Sequence, residues 1–260
     1  VVIITGASAG IGRALALQLA GQGAWLCLAA RDKTRLDELA HDCEKLGAQA
    51  LVVRTDVADE LQCKAAVEQT IERYGRIDTL INNAGISMFA RFDEIQKLDY
   101  VRAIMNVNFI GSVNMTYYAL PYLKKTRGRL VGISSLTGKN GVPTRSAYAA
   151  SKHAMAGFFD SLRIELEDDG VSVTMIYPGF VATEVRQRAI RGDGSPLQNS
   201  YIDESMIMTA DECARQIIET MTKRKRERVM TMKARIGLWL KLLAPRLVDK
   251  IAKKTVLSGQ

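Results

Sequence analysis

The chain has 260 residues, 47% of them hydrophobic, which is enough apolar content for a core and excludes a disordered chain. Its net charge of +8 is concentrated: residues 221–254 hold twelve Lys and Arg against two acids, a local +10, while the rest holds 24 against 26. A near-neutral body with one basic segment excludes the evenly basic surface of a nucleic-acid binder, and no nucleic-acid partner is expected.

Short β-rich runs recur along the chain: "VVIIT" (1–5), "AWLCLAA" (24–30), "ALVVR" (50–54), "DTLIN" (78–82), "GRLVGISS" (128–135) and "VSVTMIYP" (171–178). Such continuous apolar runs suit strands covered on both faces, as in a parallel sheet. Helix-length stretches lie between them, punctuated by Gly23 after "IGRALALQLAGQ" and Gly170 after "AMAGFFDSLRIELEDD". The alternation predicts an α/β chain built on a doubly wound parallel sheet with right-handed crossovers. No linker or repeat divides it, so residues 1–230 read as one dinucleotide-binding and catalytic domain. Ligands in such a sheet sit beyond the carboxyl ends of the strands, so the residues just after each run carry the functional reading.

After the first run, "TGASAGIG" presents Gly6, Ser8, Gly10, Ile11 and Gly12. Glycines there let the backbone turn tightly and approach a pyrophosphate at a helix N-terminus; a glycine-rich turn with no ligand is the lesser alternative for the octet taken alone. The pattern is TGxxxGxG, not GxGxxG, and no GK[ST] marks a P-loop. After the second run, Ala30 stands where an acid would hold a ribose hydroxyl, and Arg31 follows, which suits a 2′-phosphate; the adjacent Asp32 opposes that reading. Asp56, followed by Val57, offers an acceptor for an adenine amino group after the third run, and "NNAG", with Asn83, Ala84 and Gly85, follows the fourth. Either is equally an ordinary Asx turn. After the fifth come Ser134 and Ser135, and thirteen residues past Ser135 "SAYAASKHAM" places Tyr148 four residues before Lys152. That spacing puts both on one helical face. An ammonium beside a phenol favours the phenolate, lowering a pKa of about 10 and making a proton-transfer group for neutral pH. After the sixth, "YPGFVAT" breaks the strand at Pro178 and Gly179, continues through Val181, and leaves Thr183 free to bond a cofactor amide. His41 and His153 are the only histidines. They support neither a serine hydrolase nor, with the acids and cysteines, a metal site, so none is expected.

Together these motifs resemble the short-chain dehydrogenase/reductase superfamily in its compact single-domain branch, over about residues 1–230. The resemblance implies a Rossmann-like fold binding NADP(H), with Gly6, Gly10 and Gly12 at the pyrophosphate and Asp56 and Val57 at the adenine. It puts Asn83, Ala84 and Gly85 beside the adenosine and Pro178, Gly179, Val181 and Thr183 around the nicotinamide. It further implies a catalytic tetrad of Asn108 (in "NVNFIG"), Ser135, Tyr148 and Lys152. Tyr148 would be the acid/base, and Lys152 would lower its pKa and hold the nicotinamide ribose. Ser135 would orient the carbonyl, and Asn108 would fix a water leading from Lys152 to solvent. The expected function is NADP-dependent interconversion of a carbonyl and an alcohol on a small hydrophobic substrate. A non-catalytic NADP(H)-sensing regulator is the competing reading, opposed by the intact tetrad. Helices at about 98–125 and 146–168 would pair into a homodimer or homotetramer.

Residues 184–209 match the family's substrate lid in position, with Gly192, Gly194, Ser195 and Pro196 as mobile elements. Met88, Phe89, Phe92, Met206, Ile207 and Met208 predict an apolar pocket, several of them equally core. Residues 231–260 read as a basic amphipathic extension, with Ile236, Leu240, Leu243, Leu247 and Ile251 on one stripe and Pro245 splitting the helix. This tail resembles those of the steroid-, retinoid- and lipid-active branch, which includes the 11β-hydroxysteroid dehydrogenases. The resemblance implies a place near the membrane and the substrate entrance. Its charge suits peripheral contact with an anionic membrane, although a helix packed on a subunit partner fits as well. Cys27, Cys43, Cys63 and Cys213 form no CxxC pair, and no apolar run is long enough to span a bilayer. An intracellular protein, cytoplasmic or peripheral to a membrane, is expected; the opening "VVIITG", which lacks Met, leaves an N-terminal leader or anchor open.

Overall fold

The computed structural model describes residues 1–198 and 207–257. The six apolar runs become strands β1 (Val2–Thr5), β2 (Trp25–Ala30), β3 (Gln49–Arg54), β4 (Thr79–Asn82), β5 (Arg129–Ile133) and β6 (Ser172–Tyr177), and β7 (Glu227–Val229) joins at one edge. They form a parallel sheet in the order β3-β2-β1-β4-β5-β6-β7. Chain order reverses between β1 and β4, the switch point of a doubly wound sheet, where a ligand crevice opens.

Successive strand residues point to opposite faces, and both faces here are apolar. Ile3, Cys27, Leu80 and Leu130 face one side; Ile4, Leu26, Leu28 and Val131 face the other. In chain order the helices are α1 (Gly10–Ala20), α2 (Lys33–Lys45), α3 (Glu60–Tyr74), α4 (Leu98–Met105) and α5 (Gly111–Thr126). They continue with α6 (Ser146–Glu165), α7 (Ala210–Thr222), α8 (Met232–Leu243) and α9 (Pro245–Leu257). Leu15 of α1, Leu36 of α2 and Ile217 of α7 cover one face, and Val67 of α3, Met115 of α5 and Phe159 of α6 cover the other. Phe159 is wholly buried, so truncating it to Ala would cost about 3–5 kcal/mol.

Local chemistry sets where the helices begin. The Asp59 carboxylate accepts from the Leu61 and Gln62 N–H groups at the start of α3, and the Thr209 and Thr231 hydroxyls cap α7 and α8 in the same way. Gly75, at φ 72°, ends α3 in the left-handed conformation.

One element differs from the sequence expectation. The helix expected over 98–125 is interrupted by a π-helical turn at Asn106–Ile110, a widening that hydrophobic periodicity does not encode. In the tail, the break at Pro245 falls as expected, since Pro suits the first turn of α9. The apolar stripe faces outward, the side that contact with a membrane or a subunit partner requires: Ile236, Leu243, Leu247 and Ile251 are exposed and Leu240 is half-buried. Ala234 and Leu238 pack on the core. Among the described residues no helix is long and apolar enough to cross a membrane. Met206 lies outside the described residues.

Candidate active site

A cleft of about 720 Å³ opens at the switch point, along the carboxyl ends of the strands. Of the residues singled out from the sequence, Gly6, Ser8, Gly10, Ile11, Arg31, Asp56, Val57, Asn83, Ala84, Gly85, Ser135, Tyr148, Lys152, Pro178, Gly179, Val181 and Thr183 line it. Gly12 and Asn108 do not; they lie behind its wall. Gly6 adopts a φ of 63°, and a Cβ there would sit 2.8 Å from the Ala84 Cα. A Cβ on Gly12 would come within 2.3 Å of the Gly6 carbonyl oxygen. Neither position therefore tolerates a side chain, and the turn is held tight. Asn83 fixes it further, donating to the carbonyls of Thr5 (2.9 Å) and Gly6 (3.2 Å). The first turn of α1 has no side-chain cap, so its amide groups remain available to an anion at the cleft. This is the chemistry a dinucleotide pyrophosphate requires, and the residues fit such a group.

The ribose end separates two neighbours that the sequence left in competition. Asp32 is the N-cap of α2, accepting from the Arg35 N–H at 3.1 Å. Arg31 is exposed at the cleft. Arg35 is engaged elsewhere, paired with Glu184 at 2.9 Å.

At the end of β5 the two serines diverge. Ser134 is buried and donates to the Lys152 carbonyl at 3.1 Å; Ser135 faces the cleft, where its hydroxyl accepts from the Thr137 N–H at 3.2 Å. Tyr148 and Lys152 share one face of α6, but their electrostatic relation differs from the expectation. The Lys152 ammonium donates to the Ile133 carbonyl at 2.9 Å and lies 5.9 Å from the centre of the Tyr148 ring. Burial without a counter-charge lowers its pKa to about 8. Burial raises the Tyr148 pKa above 10, and the groups acting against that rise are Arg145 and Ser135, not Lys152. The reason is geometric: the lysine finds a strand-end carbonyl, and the phenol's cationic neighbour is one turn earlier on the chain.

Asn108 sits in the π-helical turn, wholly buried. Its amide donates to the Ile86 carbonyl and to Ser151 Oγ, both at 2.9 Å, and its Oδ1 accepts from the Ile86 N–H at 2.8 Å. Ser151 in turn donates to the Tyr148 carbonyl at 2.8 Å. Both amide hydrogens are therefore spent on protein acceptors, and the side chain ties the loop after β4 to α6.

Of the residues expected to form an apolar pocket, Phe89 lines the cleft. Met88 is buried in a small cluster with Ile104 and Ala147, Phe92 is exposed, and Met208 packs on the main core. The apolar wall comes instead from Val142, Phe180, Val185 and Leu197, with Val248 and Ala252 from α9. Sequence reasoning also missed Arg145, which lines the cleft, donates to Ser87 Oγ at 2.6 Å and stacks over Phe89 at 5.0 Å. An arginine just ahead of a helix reads as surface, and no spacing rule distinguishes it.

A family model described as short chain dehydrogenase matches residues 1–193. The chain is 40% identical over 259 residues to "11-beta-hydroxysteroid dehydrogenase-like 4A" of Arabidopsis thaliana, covering 98% of this chain and 84% of that protein. It is 36% identical over 265 residues to "11-beta-hydroxysteroid dehydrogenase A" of Sesamum indicum, covering 100% and 76%. Among solved structures, an alcohol dehydrogenase from the archaeon Thermococcus sibiricus, complexed with 5-hydroxy-NADP, superposes with a TM-score of 0.76 at 27% identity, covering 88% of this chain and 94% of that one. A doubly wound sheet, a glycine turn at its switch point and these relatives agree: the chain belongs to the short-chain dehydrogenase family and is an oxidoreductase that acts between carbonyl and alcohol.

Proposed function

We propose that this enzyme uses NADP(H) to interconvert a carbonyl and an alcohol on a hydrophobic, lipid-, steroid- or retinoid-like substrate, with Tyr148 as the acid/base group. The observation that carries the reading is the convergence, in one cleft, of the uncapped start of α1 with Ser135, Tyr148 and Lys152. A bound nicotinamide dinucleotide supplies or accepts the hydride. Gly6, Ser8, Gly10, Ile11 and Gly12 would hold its pyrophosphate, Asp56, Val57 and the Asn83–Gly85 turn its adenosine, and Pro178, Gly179, Val181 and Thr183 its nicotinamide. The choice of NADP(H) draws support from Arg31, free of ion pairs among the described residues, and from Asp32 being spent as a helix cap.

Tyr148 gives its proton to the carbonyl oxygen in reduction and removes it from the alcohol in oxidation. With its pKa raised by burial, the phenol stays protonated across the neutral range, the form that reduction needs. Oxidation needs the phenolate and therefore gains with rising pH. Ser135 donates to the same substrate oxygen and stabilises charge developing there. Lys152 would hold the nicotinamide ribose, and Asn108 positions α6 through Ser151 and the loop through Ile86.

The catalytic unit is taken as residues 1–230, with the lid at about 184–209 and the extension at 231–260. Two copies, or four, would associate through the outer faces of α5 and α6, where Tyr117 and Ile164 are exposed. The tail's exposed Trp239, Leu242 and Leu243, flanked by lysines and arginines, support peripheral binding to an anionic membrane. Four free, buried cysteines support a reduced intracellular setting. The test is NADPH oxidation by the purified protein across a panel of hydrophobic ketones and aldehydes, with Tyr148→Phe beside it. The variant should keep its fold and lose about 10²- to 10⁴-fold in turnover. Near-normal turnover by Tyr148→Phe would overturn the assignment.

A further inference from the structure

We propose that Arg145 is a substrate-anion receptor, so that this enzyme takes amphiphilic carbonyl compounds bearing a carboxylate or phosphate group. The inference rests on the oxidoreductase reading above and narrows its substrate class. Arg145 precedes α6, three residues before Tyr148, and its guanidinium lines the same cleft. Among the described residues the guanidinium has no carboxylate partner, and its one hydrogen bond goes from Nη1 to the Ser87 hydroxyl. A guanidinium carries five donors in a fixed fork. None of the remaining nitrogens is among the buried polar atoms lacking a partner, so they open into the cleft rather than into protein.

The surroundings orient this side chain toward the cleft. Its guanidinium lies 5.0 Å over the Phe89 ring, which fixes its plane. Thr144, just before it, holds a φ of 64°, a left-handed conformation costly for a β-branched residue. The Thr144 carbonyl is pinned by the Ala90 N–H at 3.0 Å. A strained, tethered residue immediately ahead of an inward-turned cation marks a segment held for its direction. Arg186, also on the cleft, adds a second positive charge acting on Arg145. Among the described residues, the carboxylates that line the cleft are Asp32, Asp56 and Glu184. Asp32 caps α2, and Glu184 is paired with Arg35 and Arg188. None of the three acts on Arg145. A half-buried cation without a counter-ion is costly unless a ligand supplies one, and the guanidinium fork matches carboxylate and phosphate oxygens. Val142, Val185, Leu197, Val248 and Ala252 add apolar wall to the same cleft, which suits an acyl or alkyl chain.

The experiment compares medium-chain keto acids, their methyl esters and the matching keto-alkyl phosphates, with the carbonyl at increasing distance from the head group. The quantity read is the ratio of kcat/KM for the anion to that for the ester, within each protein, so that any effect of the substitution on Tyr148 cancels. The wild type should favour at least one anion by about 10- to 100-fold, the scale of a charge-assisted bidentate contact. Arg145→Met should bring that ratio to about one, and Arg145→Lys should restore part of it. Carboxylate against phosphate identifies the head group. A wild-type ratio near one, or a ratio unchanged in Arg145→Met, would overturn the proposal. If Arg145→Met fails to fold, the wild type still decides. A saturated fatty acid should compete with the neutral ketone far better than the alcohol of equal length, and equal competition would overturn it. If no carbonyl compound turns over, the oxidoreductase reading fails on its own. Calorimetric binding of the fatty acid to NADPH-loaded protein, wild type against Arg145→Lys, then still tests the receptor, and equal affinity for acid and alcohol would refute it.

Discussion

Lys152 should cost the fold stability for the sake of the site, and the cost can be measured. Its ammonium is buried beside the Ile133 carbonyl, with Gly85 packed near it and no carboxylate to offset it, and its pKa falls from 10.5 to about 8. Each step of one in pKa corresponds to about 1.4 kcal/mol, so holding the charge costs the folded state about 3 kcal/mol at neutral pH. Lys152→Met keeps the chain length, removes the charge and forfeits one hydrogen bond to Ile133, worth about 1 kcal/mol. The variant should therefore be about 2 kcal/mol more stable at pH 7, and inactive. The sign follows from linkage: below pH 8 both folded and unfolded lysine are protonated and the penalty is constant. Between about 8 and 10.5 the folded state releases its proton first, so wild-type stability rises with pH relative to the variant. The gap of about 2 kcal/mol should close at about pH 9.5 and reverse above it, because the neutral lysine keeps its bond to Ile133. Urea denaturation of both proteins across pH 7–10, without added dinucleotide, reads it directly. A variant less stable at pH 7, or a gap independent of pH, would refute the reasoning.

Arg31→Ala should weaken NADPH binding by about 1–3 kcal/mol and change NADH binding little; a wild type that prefers NADH would refute the 2′-phosphate assignment. Ala150→Glu, on the exposed side of α6, should dissociate the oligomer without unfolding the subunit, as light scattering at micromolar concentration would show; a monomeric wild type would contradict the expected interface. Changing Arg246, Lys250 and Lys253 to Gln should reduce co-sedimentation with anionic vesicles at low salt, each cation contributing about 1 kcal/mol. Lys241 is left in place because it donates to the Lys139 carbonyl. Equal partitioning of wild type and variant would leave the tail as a protein contact.

The strands were legible because burial on both faces demands continuous apolar runs, and each run predicted from sequence overlaps an observed strand. The ends of those strands were legible too, because sheet topology forces them into one crevice regardless of the loops between. Whatever depends on side-chain direction was harder. The π-helical turn at Asn106–Ile110 inserts no periodicity break that a hydrophobic pattern could show. The tail stripe was legible as a stripe left to a membrane or a subunit partner, and Ile236, Leu243, Leu247 and Ile251 are exposed. Which residues would hold the helix to the core, Ala234 and Leu238, was not legible, because the stripe drew the eye to the other face.

The same distinction explains what was missed in the site. The spacing of Tyr148 and Lys152 shows that they share a face, and it says nothing of which acceptor the lysine reaches. Ile133 ends β5, the strand beside α6, and its carbonyl takes the ammonium at 2.9 Å. That leaves the phenol's acidity to Arg145 and Ser135. Arg145 turns inward because Thr144 is held left-handed by the Ala90 N–H, a long-range tether that a linear sequence does not display. One residue thus faces two charges: the phenolate of Tyr148 during oxidation of an alcohol and any anion carried by the substrate. An anion bound there would weaken the guanidinium's pull on the phenol and raise the Tyr148 pKa further. It would thereby extend to higher pH the range in which Tyr148 holds its proton, so that the pH profile of turnover would depend on whether the substrate carries an anion.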